Sequence, residues 1–243
     1  MSAQELSQKK ILIFGGTGEL MGEIARCFAK HDATVIIIGR TLKEPIEQIE
    51  FIEFDILKDD IHSLFQQIYE KYTYIDMIIN GAGVNASTDL LQLQPKEIVH
   101  IFEINFYFVV QCCIEYIQRT LALNKSGKII NIGSVSAIHP LSKVFMYSAS
   151  KAALHNFSKN IAREYGGQGI TTNILVPGFF PAEQNKKILD AERKQTILNE
   201  TPVNRFGKPS DLNGMMLLLA SDDSSFINGA ELVIDGGFCI TKI

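Results

Sequence analysis

The amino-acid sequence predicts a doubly wound α/β fold, in which a parallel seven-stranded sheet carries helices on both faces. Short apolar runs recur along the whole chain, most of them are continuous and β-branched, and amphipathic segments of helix length separate them. Continuous apolar runs are typical of strands buried on both faces. Because the chain has 243 residues, 46% of them hydrophobic, we expect one domain over residues 1–243.

Seven apolar runs are expected to form the strands: Ile11–Phe14, Val35–Ile38, Ile49–Phe54, Ile75–Ile79, Lys128–Ile132, Thr172–Val176 and Leu232–Ile234. The segments between them have apolar residues at helical spacing, as in Ile24, Ala25 and Phe28. Residues 179–202 depart from this alternation and predict a loop with one or two helices. A lid over a site is one use for such a segment, and a passive surface excursion is the other.

Charge and cysteine content argue against several classes of function. The net charge is −4 with no block of Lys or Arg, so nucleic acid is not an expected partner. The cysteines form no C-x-x-C pair, which argues against a metal site or disulfides and favours reduced thiols in the cytoplasm. The longest apolar stretch, Ile104–Ile114, is interrupted by Asn105 and Gln111 and is too short to cross a bilayer.

Glycine or polar residues follow six of the apolar runs. They are Gly15-Gly16-Thr17-Gly18, Gly39-Arg40, Asp55, Asn80-Gly81-Ala82-Gly83, Ser134 and Pro177-Gly178. Turn chemistry alone explains any one of them. In a parallel sheet, however, all six lie along the edge where ligands bind, and together they predict a ligand site.

The first of these loops, Gly15 to Gly22, has the context of a phosphate-binding turn. A strand precedes it and an amphipathic helix follows, so backbone N–H groups can approach a pyrophosphate. The glycine spacing is not G-x-G-x-x-G, and the Glu19 carboxylate is unfavourable beside phosphate. Dinucleotide binding remains the prediction, with a plain βα turn as the alternative.

Arg40 follows the second strand, where NAD-binding proteins usually place Asp or Glu. A guanidinium here can pair with a 2′-phosphate, which favours NADP(H) over NAD(H). The alternative is a solvated arginine.

Tyr147 and Lys151 are four residues apart on a predicted helix and therefore share one face. A neighbouring ammonium favours the phenolate and lowers the tyrosine pKa, so that the phenol can exchange a proton with a carbonyl or alcohol oxygen. Ser134 ends a neighbouring strand, and its hydroxyl can bond the same oxygen. A Tyr-x-x-x-Lys pair alone also occurs by chance on surface helices, but the pair, Ser134 and the predicted cofactor edge together predict a hydride-transferring oxidoreductase.

With these motifs the chain resembles the short-chain dehydrogenase/reductase family, which has a Rossmann-like fold. The matching pieces are Asn80-Gly81-Ala82-Gly83 (similar to N-N-A-G), Asn105, Ser134, Tyr147-x-x-x-Lys151, Pro177-Gly178 and Asp235-Gly236-Gly237. The resemblance implies a catalytic tetrad of Asn105, Ser134, Tyr147 and Lys151, with Asn105 holding a water in a proton relay. It also implies a homotetramer or homodimer and a cofactor site formed by Gly15, Thr17, Gly18, Leu20, Arg40, Asp55, Ile56, Asn80, Gly81, Ala82, Tyr147, Lys151, Pro177, Gly178 and Phe180.

The chain departs from the family pattern at two places. Glu19 and Met21 stand where two glycines of T-G-x-x-x-G-x-G are expected, which puts the pyrophosphate geometry in doubt. Ala182 stands where a Thr often holds the nicotinamide carboxamide.

The segment from Pro177 to Asn185 resembles a mannonate/fructuronate oxidoreductase subgroup, which implies a small polar substrate such as a sugar acid. A 3-oxoacyl thioester is the alternative substrate. A nucleotide-sensing protein without turnover is the alternative of another class.

Overall fold

The computed structural model describes residues 6–180 and 191–240. Its strands are Lys10–Phe14 (β1), Thr34–Gly39 (β2), Ile49–Glu53 (β3), Met77–Asn80 (β4), Gly127–Ile132 (β5), Ile170–Pro177 (β6) and Glu231–Ile234 (β7). All neighbouring pairs are parallel, in the order β3-β2-β1-β4-β5-β6-β7. The predicted parallel seven-stranded sheet is confirmed, and each predicted strand lies within two residues of the observed one at either end.

The α-helices of the described residues are Glu19–Ala29 (α1), Ile61–Tyr72 (α2), Pro95–Phe102 (α3), Phe108–Ala122 (α4), Phe145–Tyr165 (α5), Ala191–Glu200 (α6) and Asn213–Ala220 (α7). A π-helical segment, Glu103–Tyr107, joins α3 to α4. Helix α6 belongs to the expected lid; residues 181–190 of that segment, including Ala182, Glu183, Gln184 and Asn185, lie outside the described residues.

Side chains that alternate along the strands build one core on each side of the sheet. Ile11 and Ile13 of β1 join the core under α1 and α7, whereas Leu12 and Phe14 join the core under α2, α4 and α5. The ring of Phe14 is edge-on to that of Phe108 at 5.5 Å between centroids. Because both faces of the sheet are covered, its strands need no polar alternation.

The strand order reverses between β1 and β4, where the chain crosses from one half of the sheet to the other. Loops after these two strands therefore diverge and leave a crevice at their carboxyl ends. Residues 15–18 and 81–84 line its two sides.

The π-helical segment makes Pro95–Ala122 one helix of 28 residues with a mean hydropathy of 1.4, long and apolar enough to cross a membrane by length and composition. The short apolar stretch Ile104–Ile114 of the sequence analysis is thus only part of a longer apolar helix. Its inner face nevertheless packs in the core, where Val109, Cys112, Cys113 and Tyr116 are buried. The Tyr116 hydroxyl also donates to the Asp76 carbonyl at 2.8 Å. We interpret it as a core helix.

Candidate active site

The β1–α1 loop has the backbone geometry of a phosphate cradle. Gly15 has φ +77°, and a Cβ there would lie 2.8 Å from the Ala82 nitrogen, so the two loops approach each other closely. Gly18 caps α1 without a side-chain hydrogen bond, which leaves the first N–H groups of the helix to other acceptors. The residues present therefore fit the pyrophosphate of a dinucleotide. Thr17 is exposed and Leu20 half-buried beside them.

The two departures from the glycine pattern are accommodated differently. Glu19 is exposed, whereas Met21 is only 3% exposed and packs into the core. The sulfur of Met21 lies 2.4 Å from the position of a Cβ at Gly81, so it fills space that any side chain at Gly81 would need. Met21 thus turns away from the cradle because Gly81 makes room for it.

Residues at the ends of β2 and β3 bound the crevice on the opposite side from β4. Arg40 is exposed, and Gly39 before it touches the Thr17 side chain. The Asp55 pKa is lowered, first by the hydrogen bond from the Leu57 N–H and also by Lys58 and Arg40. The Asp55 carboxylate is therefore already bound by its own turn. The next residue, Ile56, packs against the adjacent core.

Asn80 is 1% exposed at the end of β4, and its amide donates to Asn131 on β5 at 2.8 Å. Asn131 in turn donates to Ser158 on α5 at 2.8 Å. This buried chain of amides fixes the loop that follows β4.

Asn105 lies in the π-helical segment and clamps the same loop. Its Oδ1 accepts from the Val84 N–H at 2.8 Å, and its Nδ2 donates to the Val84 carbonyl at 2.9 Å and to Ser150 at 3.1 Å. Segments of this kind are frequent at functional sites. In this chain the π-helical segment replaces a regular α-helical turn and directs the Asn105 side chain inward.

Lys151 is 4% exposed, and its Nζ donates to the Ile132 carbonyl at 2.7 Å. Burial lowers its pKa to about 8. Both Lys151 Nζ and Asn105 Oδ1 lie within 3.7 Å of the position of a Cβ at Gly83. These two polar groups therefore face one small space, which exists because residue 83 is glycine.

Tyr147 is half-buried, with Lys151 Nζ 5.9 Å from its ring centroid. Burial raises the Tyr147 pKa, and a hydrogen bond with Ser134 opposes the rise. The expected lowering by Lys151 is not the dominant effect here, because the ammonium bonds a carbonyl and the phenolate has lost solvent.

Ser134 is 8% exposed, and its hydroxyl oxygen accepts hydrogen bonds from the Ser136 N–H at 3.2 Å and the Ser136 hydroxyl at 3.0 Å. A serine hydroxyl has two acceptor positions and one proton. With both acceptor positions used, the proton is free to be donated towards Tyr147 and the pocket in front of it.

A small pocket opens in front of Ser134 and Tyr147. It is lined by Asn85, Ser134, Val135, Ser136, Leu141, Val144, Tyr147, Gly178, Phe179 and Arg193. Arg193 projects from α6 and donates to the Ser142 carbonyl at 3.0 Å. Asn85, Ser136 and Arg193 were not identified from sequence, because no motif marks them and only the folded chain brings them to Ser134.

The loop after β6 lies beside β7 and the pocket of Tyr147. Pro177 ends the strand, and a Cβ at Gly178 would lie 2.6 Å from the Asp235 Cα, so the backbone passes close to β7 here. Phe180 is 4% exposed and packs against Gly207. Phe179, rather than Phe180, lines the pocket with Tyr147.

Residues 6–180 and 191–240 contain no group of three or more His, Cys, Asp or Glu positioned for a metal ion. The cysteines Cys27, Cys112, Cys113 and Cys239 are all free thiols.

The chain is similar to known proteins over nearly its whole length. A family model described as Enoyl-(Acyl carrier protein) reductase matches residues 21–239. The 3-oxoacyl-(acyl-carrier-protein) reductase FabG of Chlamydia trachomatis is 32% identical, over 96% of this chain and 98% of that protein. The 2-dehydro-3-deoxy-D-gluconate 5-dehydrogenase of Escherichia coli is 30% identical, over 83% and 85%.

Solved structures have the same fold. A short-chain dehydrogenase from Leptospira borgpetersenii with bound NAD+ has a TM-score of 0.91 at 27% identity, covering 98% of this chain and 95% of that one. A gluconate 5-dehydrogenase from Burkholderia cenocepacia in complex with NADP and tartrate also has a TM-score of 0.91, at 24% identity and full coverage of both chains.

Proposed function

The chain belongs to the short-chain dehydrogenase/reductase family, and we propose that it interconverts a small hydroxy acid of the sugar-acid class and the corresponding ketone. It is an NAD(P)-dependent oxidoreductase of hydroxyl and carbonyl groups. The nicotinamide cofactor supplies or accepts the hydride; the residues of the chain bind the substrate and move the proton.

In the proposed reduction, the Ser134 hydroxyl donates a hydrogen bond to the substrate carbonyl, and Tyr147 transfers its phenolic proton to the same oxygen. Two observations support these roles. The Ser134 acceptor positions are filled by Ser136, and both reactive hydroxyls line one pocket. Such proton transfer contributes about 10²–10⁴-fold to rate.

Lys151 is proposed to bind the nicotinamide ribose and, together with Asn105, to return a proton to Tyr147. The space at Gly83, which both side chains face, supports a relay through a water molecule. In the oxidation direction the same groups work in reverse.

The position of Arg193 carries the substrate proposal. Its guanidinium lines the pocket of Ser134 and Tyr147, where it can pair with a substrate carboxylate. Asn85 and Ser136 offer hydrogen bonds to hydroxyl groups of the same substrate. A 3-oxoacyl thioester is the second candidate, favoured by the similarity to FabG.

NADP(H) is the proposed cofactor, because the exposed Arg40 at the end of β2 can pair with a 2′-phosphate. Thr17, Leu20, Ile56, Ala82 and the other cofactor residues of the sequence analysis are proposed to line its site. We also propose a homo-oligomer, because α3, the π-helical segment and α4 expose Val99 (63%), Tyr107 (59%) and Ile114 (47%). The free thiols support the proposal of a cytoplasmic location.

The proposal is tested by measuring NADPH and NADH oxidation with keto-sugar acids, the matching neutral ketoses and a 3-oxoacyl thioester. We expect keto acids to be preferred, and Arg193→Gln to raise KM for the acids about tenfold while leaving the ketoses unchanged. Lys194→Gln, a neighbouring exposed charge, is the matched control. Preference for the thioester would establish the second candidate, and binding of NADPH without turnover of any substrate would indicate a nucleotide sensor.

A further inference from the structure

Helix α5 carries four long polar side chains at intervals of four residues: Tyr147, Lys151, His155 and Lys159. Residues at this spacing share one helix face. Tyr147 and Lys151 belong to the proposed mechanism. His155 and Lys159 continue the same row beyond it, towards β7.

His155 is buried against the end of β5, at 4% exposure. Its Nε2 accepts from the Ser134 backbone N–H at 3.4 Å. A Cβ at Gly133 would lie 2.1 Å from the same Nε2, so the imidazole occupies the space beside a glycine. Lys151 and His155 thus hold the two successive peptides on either side of Gly133, one by a carbonyl and the other by an N–H.

The backbone contact fixes the protonation of the ring. Because Nε2 faces a donor, it must be unprotonated, and the neutral ring then carries its proton on Nδ1. Nδ1 lies 3.3 Å from Glu231 Oε1 on β7, and Lys159 Nζ lies 2.5 Å from the same oxygen. The charged groups around His155 in the described residues are therefore Glu231 on β7 and Lys151 and Lys159 on its own helix.

We propose that His155 is a positioning residue that holds the Ser134 peptide in place, oriented by Glu231, and that its protonation releases Ser134. The inference rests on the proposed role of Ser134 in substrate binding. A proton on Nε2 would put two donors face to face, so the Ser134 backbone would have to move. A displacement of about 1 Å at a reacting group can cost about 100-fold in rate.

The direction of the pH effect follows from burial, which lowers the His155 pKa from its usual value, while Glu231 opposes this. The contact with Ser134 is therefore intact near neutral pH and is lost only at a pH lower than the ordinary histidine pKa. Removal of the Glu231 charge lowers the His155 pKa further and shifts this loss to lower pH.

The test compares kcat between pH 5 and 8 for His155→Gln, His155→Leu and Glu231→Gln, with the exposed His100→Gln as control. The glutamine oxygen can accept from the Ser134 N–H but does not titrate. We therefore expect His155→Gln to keep kcat within about threefold at pH 7.5. Its kcat should also no longer fall towards acid pH, so the acid limb of the pH–rate profile disappears. His155→Leu should lose at least tenfold in kcat at all pH values, and Glu231→Gln should shift the limb to lower pH.

A second measurement needs no substrate. In protein labelled with ¹⁵N-histidine, NMR should show an unprotonated Nε2 and a protonated Nδ1 for the resonance that His155→Gln removes. A protonated Nε2 at pH 7.5, or an acid limb unchanged by both His155→Gln and Glu231→Gln, would overturn the inference. If the wild type turns over no ketone, the proposed function fails, and the NMR result alone decides the inference.

Discussion

Lys151 donates to the carbonyl of Ile132 at 2.7 Å, so the ammonium that the mechanism requires is fixed by the strand that presents Ser134. This hydrogen bond therefore holds Lys151 of α5 against the carboxyl end of β5.

Lys151 makes the activity sensitive to alkaline pH. Because burial lowers its pKa to about 8, the ammonium is lost as the pH rises through that value. We expect the reductase rate to fall above pH 8. Lys151→Met should lower kcat about 100-fold, and its rate should not fall further above pH 8. Stability moves the other way: the unfolded lysine keeps its proton up to about pH 10.4, so the destabilisation caused by burying the charged amine is progressively relieved between about pH 8 and 10, and the free energy of unfolding rises. Steady-state rates and urea melts across this range measure both effects.

Tyr147→Phe should abolish proton donation without disturbing the fold. We expect kcat to fall about 10²–10⁴-fold and the Kd for NADPH, measured by calorimetry, to stay within about twofold. Ser134→Ala should lower kcat similarly and also cost about 1 kcal/mol of stability, because Ser134 caps the short turn that follows it. Equal rates for Tyr147→Phe and wild type on a panel of ketones would refute the proposed acid.

Met21 and Gly81 should be energetically coupled. Gly81→Asn forces a side chain against the Met21 sulfur, and Met21→Gly leaves a cavity, so each change alone should destabilise the fold by about 2 kcal/mol or more. The double variant removes the clash and fills the cavity in part. We expect it to be at least 1 kcal/mol more stable than additivity allows, as measured by a double-mutant cycle in urea. Additive effects would mean that the two side chains do not compete for this space.

Arg40 should determine the preference between the two nicotinamide cofactors. Arg40→Ser removes the cation that is proposed to pair with the 2′-phosphate, so KM for NADPH should rise about tenfold while KM for NADH stays constant. Lys30→Ser, an exposed cation at the far end of α1, serves as the control. A wild-type preference for NADH would contradict the assignment.

The central strands were predictable because they are buried on both faces, and a continuous hydrophobic run as short as Ile11–Phe14 is too short for a buried helix. The edge of the sheet that carries the site was predictable for a topological reason. Parallel strands place Ser134 and Asn80 at the same carboxyl edge of the sheet, however the side chains pack. Tyr147 and Lys151 were identified by their spacing on a helix.

Features that depend on side-chain packing were not predictable. The continuous helix through Asn105 requires a π-helical segment, which no pattern in residues 103–107 announces. The role of Met21 depends on space at Gly81, 60 positions later in the chain. His155 and Glu231 come together only across the β6–β7 side of the sheet, and neither lies in a motif.

The π-helical segment at Glu103–Tyr107 contains one more residue than an α-helical turn would need. One residue corresponds to about 100° of rotation around a helix axis. The side chains of α3 are therefore rotated by about this angle from where a regular α-helix continuing α4 would place them. Deletion of a single codon in this segment would restore a regular helix and rotate every preceding side chain by that angle. A change of length here would therefore alter the outward surface of α3 and at the same time displace the Asn105 amide that holds Val84.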